Sequence, residues 1–247
     1  MNDFARTIKL STKKTFLAKN IDDGNAILNL DKLNVGSYIV TANLVGADSS
    51  ENISFNVNKN DVKFIYNTLT VNAYPNSALY KFTLKDASDN LLCGKNITIV
   101  FNGKTFNVTT NDDGVASFKV SLSSAKTYSL SGVFKGDKSY NTASFSSSVK
   151  VIKNNVKFSK ATKKVKKSNV KSTFKITLTT ANAKVLKNKK LVLTINKKKV
   201  SVKTNSKGVA VFKVSLPKKK KTYKYAVSFS GDSGNNKKTF SSKLTVY

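Results

Sequence analysis

The sequence predicts an all-β chain of tandem antiparallel β-sandwiches, the first of them incomplete. The segment Asn111–Leu122, which reads N-D-D-G-V-A-S-F-K-V-S-L, is the main observation. Its Asn, Asp and Gly residues favour a tight turn, and from Ala116 to Val120 apolar and polar residues then alternate with the period of a half-buried strand. The segment returns at Asn205–Leu216 as N-S-K-G-V-A-V-F-K-V-S-L and, in degraded form, at Ile21–Leu30. Three copies of one turn-and-strand motif indicate a repeat protein.

The first unit, residues 1–60, matches only the later part of a repeat. Lys14–Gly46 aligns without gaps to Lys104–Gly136 at a shift of 90 residues, but the strands expected before Ile97 have no counterpart at the start of the chain. We therefore expect a fragment of a longer array or a misplaced gene start. Met1–Leu10 lacks the positive segment and apolar core of a signal peptide. No apolar run approaches the ~18 residues that a membrane span needs.

The second unit, residues 61–152, is complete in the sequence. Alternation predicts about seven short strands with turn signals between them, which is the pattern of an antiparallel sandwich. No apolar period of 3.6 residues runs long enough to predict a helix. The predicted strands are Val62–Val71, Leu79–Leu84, Asn96–Phe101, Thr105–Val108, Val115–Leu122, Tyr128–Phe134 and Phe145–Val151.

The third unit, residues 153–247, repeats the second at a shift of 94 residues and, after one insertion, of 95. Its apolar positions persist, whereas several outward positions become lysine. Asn96 becomes Lys190, for example, and Gly103 becomes Lys197. We infer that the third unit keeps the apolar core of the second, whereas its surface has gained positive charge.

The residues shared by these units carry a resemblance to a known family. The order N-G-K-x-F-x-V-x-T-N-D-x-G-x-A-x-F, followed by a tyrosine strand and F-x-G-D-x-x-Y, resembles the immunoglobulin-like repeats of large bacterial and archaeal surface proteins. It is most similar to the tandem repeats of methanogen adhesin-like proteins, and the resemblance covers nearly the whole chain. It implies immunoglobulin-like sandwiches in an extracellular stalk or adhesin at the cell surface or cell wall. The third unit departs from the pattern at Asn235, which replaces Tyr140, and in its lysine-rich surface.

The residues that usually carry catalysis or metal binding are scarce. The chain has no histidine and one cysteine, Cys93, so it lacks the commonest general base and metal ligand. Asp22–Asp23 and Asp112–Asp113 offer oxygen ligands for calcium. However, each pair precedes a glycine, and the third copy has Ser206–Lys207 there, so we interpret them as turn residues. We predict a protein that is not an enzyme, with no catalytic residue, metal site, cofactor or small-molecule substrate.

The formal net charge of +31 is unevenly distributed. Residues 152–247 hold 27 lysines, no arginine and one acid, Asp232, which gives +26, whereas residues 1–151 carry +5. Such a charge on one small domain is self-repelling and predicts an anionic partner. Besides the pair Lys189–Lys190, the lysine runs supply the candidate polyanion-binding residues. These are Lys163, Lys164, Lys166, Lys167, Lys197, Lys198, Lys199, Lys218, Lys219, Lys220 and Lys221.

We expect the partner to be an anionic cell-wall polymer or an acidic glycan, because such a polymer requires only dense, compact positive charge. Nucleic acid is the rival partner through its phosphates, but the lysine runs lack interleaved aromatic residues for base stacking and arginines for base readout. The hypothesis is a non-enzymatic, adhesin-like or stalk segment of the cell surface, tethered electrostatically by its third unit. The alternatives are a purely structural spacer with an inert lysine-rich end and, third, a nucleic-acid-binding protein.

Overall fold

The computed structural model of the protein describes residues 6–10, 15–18, 30, 33–44, 48, 50–159, 163–165 and 171–247. These residues form twenty strands joined by turns and irregular segments, which confirms the predicted all-β fold class. The first four strands are β1 (Arg6–Leu10), β2 (Thr15–Ala18), β3 (Gly36–Leu44) and β4 (Ser50–Val57). They make one antiparallel sheet in the order β2-β1-β3-β4.

Tyr38 anchors the described part of the first unit. Its ring is buried, and its hydroxyl donates a hydrogen bond to the carbonyl of Asn34 at 2.7 Å. Tyr128, the equivalent residue of the second unit, donates to the carbonyl of Ser124, also four residues earlier, at 3.0 Å. The shared bond supports the alignment of the two units. The motif copy at Ile21–Leu30 lies largely outside the described residues, so the predicted incompleteness of the first unit stays a prediction.

The second unit contains eight strands that form two sheets. The strands are β5 (Val62–Tyr66), β6 (Leu69–Asn72), β7 (Ala78–Asp86), β8 (Asn96–Phe101), β9 (Lys104–Thr109), β10 (Val115–Val120), β11 (Thr127–Phe134) and β12 (Ala143–Ile152). One sheet has the order β10-β7-β5 and the other β6-β12-β11-β8-β9. Neighbours are antiparallel, except that β6 runs parallel to β12.

One predicted strand of this unit is wrong. The sequence predicts a single strand over Val62–Val71, whereas the structure has two, β5 and β6, which belong to different sheets. The break falls at Asn67–Thr68, where the chain crosses from one sheet to the other. The alternation breaks there, because Asn67 and Thr68 are two successive polar residues and the apolar positions change from even to odd numbers. The prediction passed over this signal.

The third unit repeats this arrangement. Its strands are β13 (Val156–Phe158), β14 (Lys163–Val165), β15 (Lys171–Thr180), β16 (Lys190–Ile195), β17 (Lys198–Lys203), β18 (Val209–Ser215), β19 (Lys221–Phe229) and β20 (Lys238–Val246). The sheets have the orders β13-β15-β18 and β14-β20-β19-β16-β17, and β14 runs parallel to β20. Residues 61–247 thus form tandem antiparallel immunoglobulin-like β-sandwiches.

Each of these two units buries an apolar cluster of its own between its sheets. Phe82, Ile99 and Leu130 lie in the second core, and Phe174 and Phe212 lie in the third. The two clusters share no residue. The domain boundaries remain a proposal. The separate cores support the boundary after residue 152, and the boundary after residue 60 stays a prediction.

The repeated N-x-x-G motif forms the turn by which the chain passes from the five-stranded to the three-stranded sheet of each unit. Gly114 and Gly208 have φ values of +66° and +72°, which glycine adopts without strain. A Cβ at Gly208 would also lie 2.9 Å from the carbonyl oxygen of Leu178. The Asn205 side-chain oxygen closes the turn by accepting a hydrogen bond from the Val209 amide at 3.0 Å. The motif is therefore a requirement of backbone geometry.

Asn154 joins the second unit to the third. The residue is 1% exposed. Its side-chain amide nitrogen, Nδ2, lies 3.0 Å from the carbonyl oxygen of Ala73 in the second unit and 3.2 Å from that of Gly234 in the third. Its side-chain oxygen accepts a hydrogen bond from Asn76 at 2.7 Å. A buried polar side chain that loses its partners costs about 1–3 kcal/mol, so these contacts favour one relative orientation of the two units.

Replacement of Phe212 with Ala should destabilise the third unit by about 3–5 kcal/mol, the usual effect of truncating a buried Phe. Phe212 is fully buried, whereas its neighbour Val211 is 37% exposed. The matched variant Val211→Ala should therefore have little effect. Chemical denaturation followed by circular dichroism would measure both. Loss of the second unit's transition along with the third's would contradict the existence of two independent cores.

Replacement of Gly234 with Ala should loosen the joint between the second and third units, because the new Cβ would clash with the carbonyl oxygen of Ser123. Spin labels on the native, exposed Cys93 and on an added Ser201→Cys would report the separation of the two units. We expect the distance distribution to broaden in the Gly234→Ala variant. Ser233→Ala is the control, since Ser233 uses its backbone carbonyl in the joint. A distribution as narrow as the parent's would contradict a fixed joint.

Candidate functional site

The five-stranded sheet of the third unit turns one face to the core and the other to solvent. On β16 the buried side chains are Leu191, Leu193 and Ile195. Residues between such buried positions point outward, because successive side chains of a strand face opposite sides of the sheet. On the four strands of this sheet whose side chains are described, five exposed lysines occupy outward positions, and we call them the outer lysine face: Lys190, Lys199, Lys203, Lys224 and Lys243.

Four of these lysines form two cross-strand pairs. Lys190 lies directly opposite Lys203 on β16 and β17, and Lys224 lies directly opposite Lys243 on β19 and β20. Opposite residues of an antiparallel ladder have Cβ atoms about 4.5–5.5 Å apart, and like charges at this spacing are destabilising. The outer lysine face therefore contains two local repulsions, which an anion would relieve.

The same positions of the second unit are uncharged. They hold Asn96, Thr105, Thr109, Ser129 and Ser148. The registers agree, since Asn96 lies opposite Thr109 and Ser129 opposite Ser148. The Thr109 hydroxyl donates a hydrogen bond to the side-chain oxygen of Asn96 at 2.8 Å, so this pair attracts where the lysine pair repels. The third unit has thus exchanged five neutral residues for lysine on an unchanged ladder.

The other sheet of the third unit shows no comparable exchange. Its strands β13, β15 and β18 carry four lysines: Lys157, Lys171, Lys175 and Lys213. Three of them, all except Lys171, align with lysines of the second unit, namely Lys63, Lys81 and Lys119. On the strands, the added charge is therefore concentrated on the five-stranded sheet.

An open hollow lies on the outer face between β16, β19 and β20. Its volume is about 560 Å³, its floor includes Thr194, Ala226 and Ser241, and the pair Lys224–Lys243 borders it. The second unit has a hollow of about 390 Å³ on the same face, lined in part by Ser131. The equivalent floor positions of the second unit hold Val100, Ser131 and Ser146, and Lys126 is the lysine that borders that hollow. The third unit borders its hollow with the cross-strand pair Lys224–Lys243 instead.

The structure places the predicted lysines of the β16–β17 hairpin and the β18–β19 connection at several exposed positions. Lys197 lies in the hairpin turn, Lys198 begins β17, and Lys199 belongs to the outer lysine face. Lys218–Lys220 lie in the loop before β19, and Lys221 is the first residue of that strand. Among the predicted site residues whose side chains the structure describes, Lys199 is the member of the outer lysine face.

Two of the predicted lysines do not distinguish the third unit from the second. Lys198 aligns with Lys104, and Lys221 aligns with Lys126. The Lys221 ammonium also lies 5.7 Å from the centre of the Tyr223 ring, which gives it a contact within its own unit. These two positions therefore explain none of the difference in charge.

The first predicted lysine run lies at the edge of the five-stranded sheet. Lys163 and Lys164 belong to β14, whose parallel register places them beside Leu244 and Thr245 of β20. Lys166 and Lys167 lie outside the described residues. The role of the run in polyanion binding stays a prediction.

Four members of the outer lysine face were missed as site residues by the sequence reasoning. Lys203, Lys224 and Lys243 stand alone between apolar or hydroxyl residues, and Lys190 belongs to a run of only two. A search for long runs passes over them, since outward residues of a strand are never adjacent in sequence. The signal that could have found them is the alignment itself, in which each replaces a neutral residue at an outward position.

The single acid of the third unit is bonded within its own turn. The Asp232 carboxylate lies 2.6 Å from the Lys189 ammonium, accepts a hydrogen bond from the Gly234 amide at 3.0 Å, and accepts another from the Asn235 side chain at 2.8 Å. Burial would raise the pKa of this carboxyl, but Lys189 and the other donors outweigh it and hold the pKa below its ordinary value of 3.8. Asp232 therefore acts as a turn residue, as Asp137 does with Lys95 in the second unit.

The remaining chemically notable residues are exposed. Asp112, Asp113 and Cys93 all lie at the surface. Within the described ranges, no group of three or more His, Cys, Asp or Glu side chains could hold a metal ion. No helix in the described part of the chain is long and apolar enough to cross a membrane.

No protein-family model matches the chain, and no curated protein matches its sequence. Similar solved structures include four tandem repeats from the extending region of a large adhesion protein (15% identity, TM-score 0.38, 98% of this chain and 66% of that one). The adhesin InvE of Yersinia pseudotuberculosis is also similar, with 15% identity and a TM-score of 0.34 over 76% of this chain and 58% of that one. Immunoglobulin domains 1–5 of Sidekick-1 are similar as well, with 10% identity and a TM-score of 0.42 over 99% of this chain and 52% of that one. At such distances these likenesses say nothing about the ligand of this chain.

Replacement of Asp232 with Asn should lower the thermal stability of the third unit at pH 7, because Lys189 loses its counter-charge. The folded pKa of Asp232 is depressed, so its contribution is present above the unfolded value near 3.8 and is lost as the pH falls through the folded pKa. The difference in melting temperature between the parent and the variant should therefore shrink from pH 7 to pH 2.5. Calorimetry would measure it, with Asp137→Asn as the matched change in the second unit. A difference that persists undiminished at pH 2.5 would contradict the charge pairing.

Proposed function

We propose that the chain is a non-enzymatic, adhesin-like or stalk segment of a surface protein whose third unit binds an anionic cell-wall polymer or acidic glycan through its positive charge. An extracellular location, at the cell surface or wall, and the archaeal origin implied by the sequence resemblance belong to this proposal. So do the units 1–60, 61–152 and 153–247 and the polyanion role of the lysine runs.

The observation that carries the proposal is the outer lysine face. The third unit keeps the strand order and the cross-strand registers of the second, yet all five positions change from neutral residues to lysine. Two of the resulting pairs place like charges opposite each other, which lowers the stability of the free protein. An external polyanion turns this repulsion into attraction, so binding supplies a physical reason for the charge.

The composition of the face favours a charged polymer over nucleic acid. The outward residues of β16, β17, β19 and β20 are Lys, Val, Thr, Ser and Ala. Proteins that hold single-stranded nucleic acid stack its bases on aromatic side chains, at about 1–3 kcal/mol per base. A polymer read mainly through its charge requires no such platform.

The expected strength of this binding follows from the number of lysines. Each lysine near an anionic surface contributes about 1 kcal/mol, so five contribute roughly 5 kcal/mol before ordering costs. The screening length falls from about 8 Å at physiological salt to about 3 Å at 1 M. Molar salt should therefore release the protein from the polymer.

A purely structural spacer is the second candidate function. The joint at Asn154 favours it, because hydrogen bonds from one buried amide to both units suit a stalk that keeps its shape. The two functions are compatible, since a rigid stalk can also carry a charged end.

The decisive experiment transfers the neutral residues of the second unit to the outer lysine face. A variant with Lys190→Asn, Lys199→Thr, Lys203→Thr, Lys224→Ser and Lys243→Ser should fold normally, since those residues already occupy this ladder in the second unit. It should lose at least tenfold in affinity for purified cell-wall material at physiological salt. Co-sedimentation over a salt series would measure this.

The matched control removes the same amount of charge from the three-stranded sheet and from Lys207 in the turn before β18. It carries Ser at Lys157, Lys171, Lys175, Lys207 and Lys213, all exposed, and should keep most of the affinity. Equal losses in the two variants would show that the face is not special. Tighter binding of the parent protein to duplex DNA than to wall material would favour the nucleic-acid alternative. If the parent bound neither, the purely structural spacer would be the function that stands.

A further inference from the structure

The hollow of the third unit is bordered by two ammonium groups. Lys224 and Lys243 are directly opposite each other on β19 and β20, and both are exposed. The next outward pair toward the edge of the ladder, Thr222 and Thr245, is neutral, and their hydroxyls lie 3.2 Å apart. The unit's single acid, Asp232, is bonded to Lys189. No carboxylate of the unit is therefore available to neutralise this lysine pair.

The floor of the hollow offers groups that suit a sugar ring. Thr194 and Ser241 present hydroxyls, which can both donate and accept hydrogen bonds, and Ala226 presents a methyl group between them, since the three residues share one cross-strand row. The hollow is open to solvent along the outer face, so a linear polymer can lie across it with one of its sugars in the hollow. A phosphate chain has no ring and no hydroxyl groups to use these contacts.

We propose that the hollow is a subsite for one carboxylated sugar of a linear acidic polysaccharide. The carboxylate lies between the Lys224 and Lys243 ammonium groups, and the ring rests on Ala226 between Thr194 and Ser241. This inference rests on the proposed function and makes it more specific. Lys224 and Lys243 bind one carboxylate at a defined position, whereas the other lysines contribute only positive charge. This placement also separates the subsite from the loop Lys218–Lys220, which lies at the end of the sandwich and borders no part of the hollow.

The test compares two variants of equal net charge in the full chain. One carries Lys224→Ser and Lys243→Ser, the residues of the second unit at the same positions. The other carries Lys175→Ser and Lys213→Ser, both exposed on the three-stranded sheet. Polygalacturonate is the carboxylated probe and polyphosphate the anion without sugar, and titration calorimetry measures affinity for both. The melting temperature of each variant checks that it folds.

For polygalacturonate, we expect the pair variant to lose at least tenfold in affinity and the three-stranded-sheet variant no more than twofold. For polyphosphate, we expect the two variants to lose affinity equally. Equal losses for polygalacturonate would overturn the subsite and leave the proposed function standing. A pair variant that loses tenfold for both probes would overturn the assignment of a sugar. A parent protein that binds neither probe, nor cell-wall material, would overturn the proposed function as well.

Discussion

The alternation of side chains along a strand is the constraint on which the properties of this protein depend. Each strand of a sandwich assigns every second residue to the core and leaves the intervening residues to solvent. Leu191, Leu193 and Ile195 must therefore stay apolar, whereas Lys190 is free to differ from its counterpart Asn96. Two domains can then share one ladder and one pattern of core residues while their surfaces differ greatly in charge. The outer lysine face is the consequence of this freedom on five positions of one sheet.

The sequence predicted the fold well because strand alternation and turn chemistry are local signals. The N-x-x-G motif marks a turn that needs the positive φ of Gly114 and Gly208, and such a requirement is visible in a single chain. The division of Val62–Val71 into β5 and β6 was missed although Asn67–Thr68 interrupts the alternation. That the two halves join different sheets depends on packing partners distant in sequence. The binding face was only partly predicted for the same reason: Lys199 lies in a run, whereas Lys224 and Lys243 meet only when β19 pairs with β20.

The contacts of Asn154 between the second and third units, together with the neighbouring turn at Asp232, explain why one acid remains in so basic a unit. Asp232 accepts a hydrogen bond from Asn235, and Asn235 in turn lies 3.1 Å from the buried amide of Asn154. The second unit keeps the same turn at Asp137, where Tyr140 occupies the place of Asn235. The exchange of Tyr140 for Asn235 thus sits beside a buried amide that contacts both units. On the outer lysine face, neutral residues could be replaced by lysine without loss of the ladder. The Asp232 carboxylate differs because it accepts hydrogen bonds from a backbone amide and a side chain of its own turn.

The parallel edge strands have a consequence for how the protein bears load. β6 and β14 come early in their units, and each lies beside the last strand, β12 or β20, in parallel register. Pulling the two ends of such a unit apart slides these two neighbours past each other along their own axes. All the hydrogen bonds of the ladder are then strained at the same moment, whereas a hairpin pulled at its open end breaks its bonds one after another. A unit held at one end and dragged by flow at the other would therefore resist through the shearing of this short edge ladder, in which four register pairs of the second unit are loaded together.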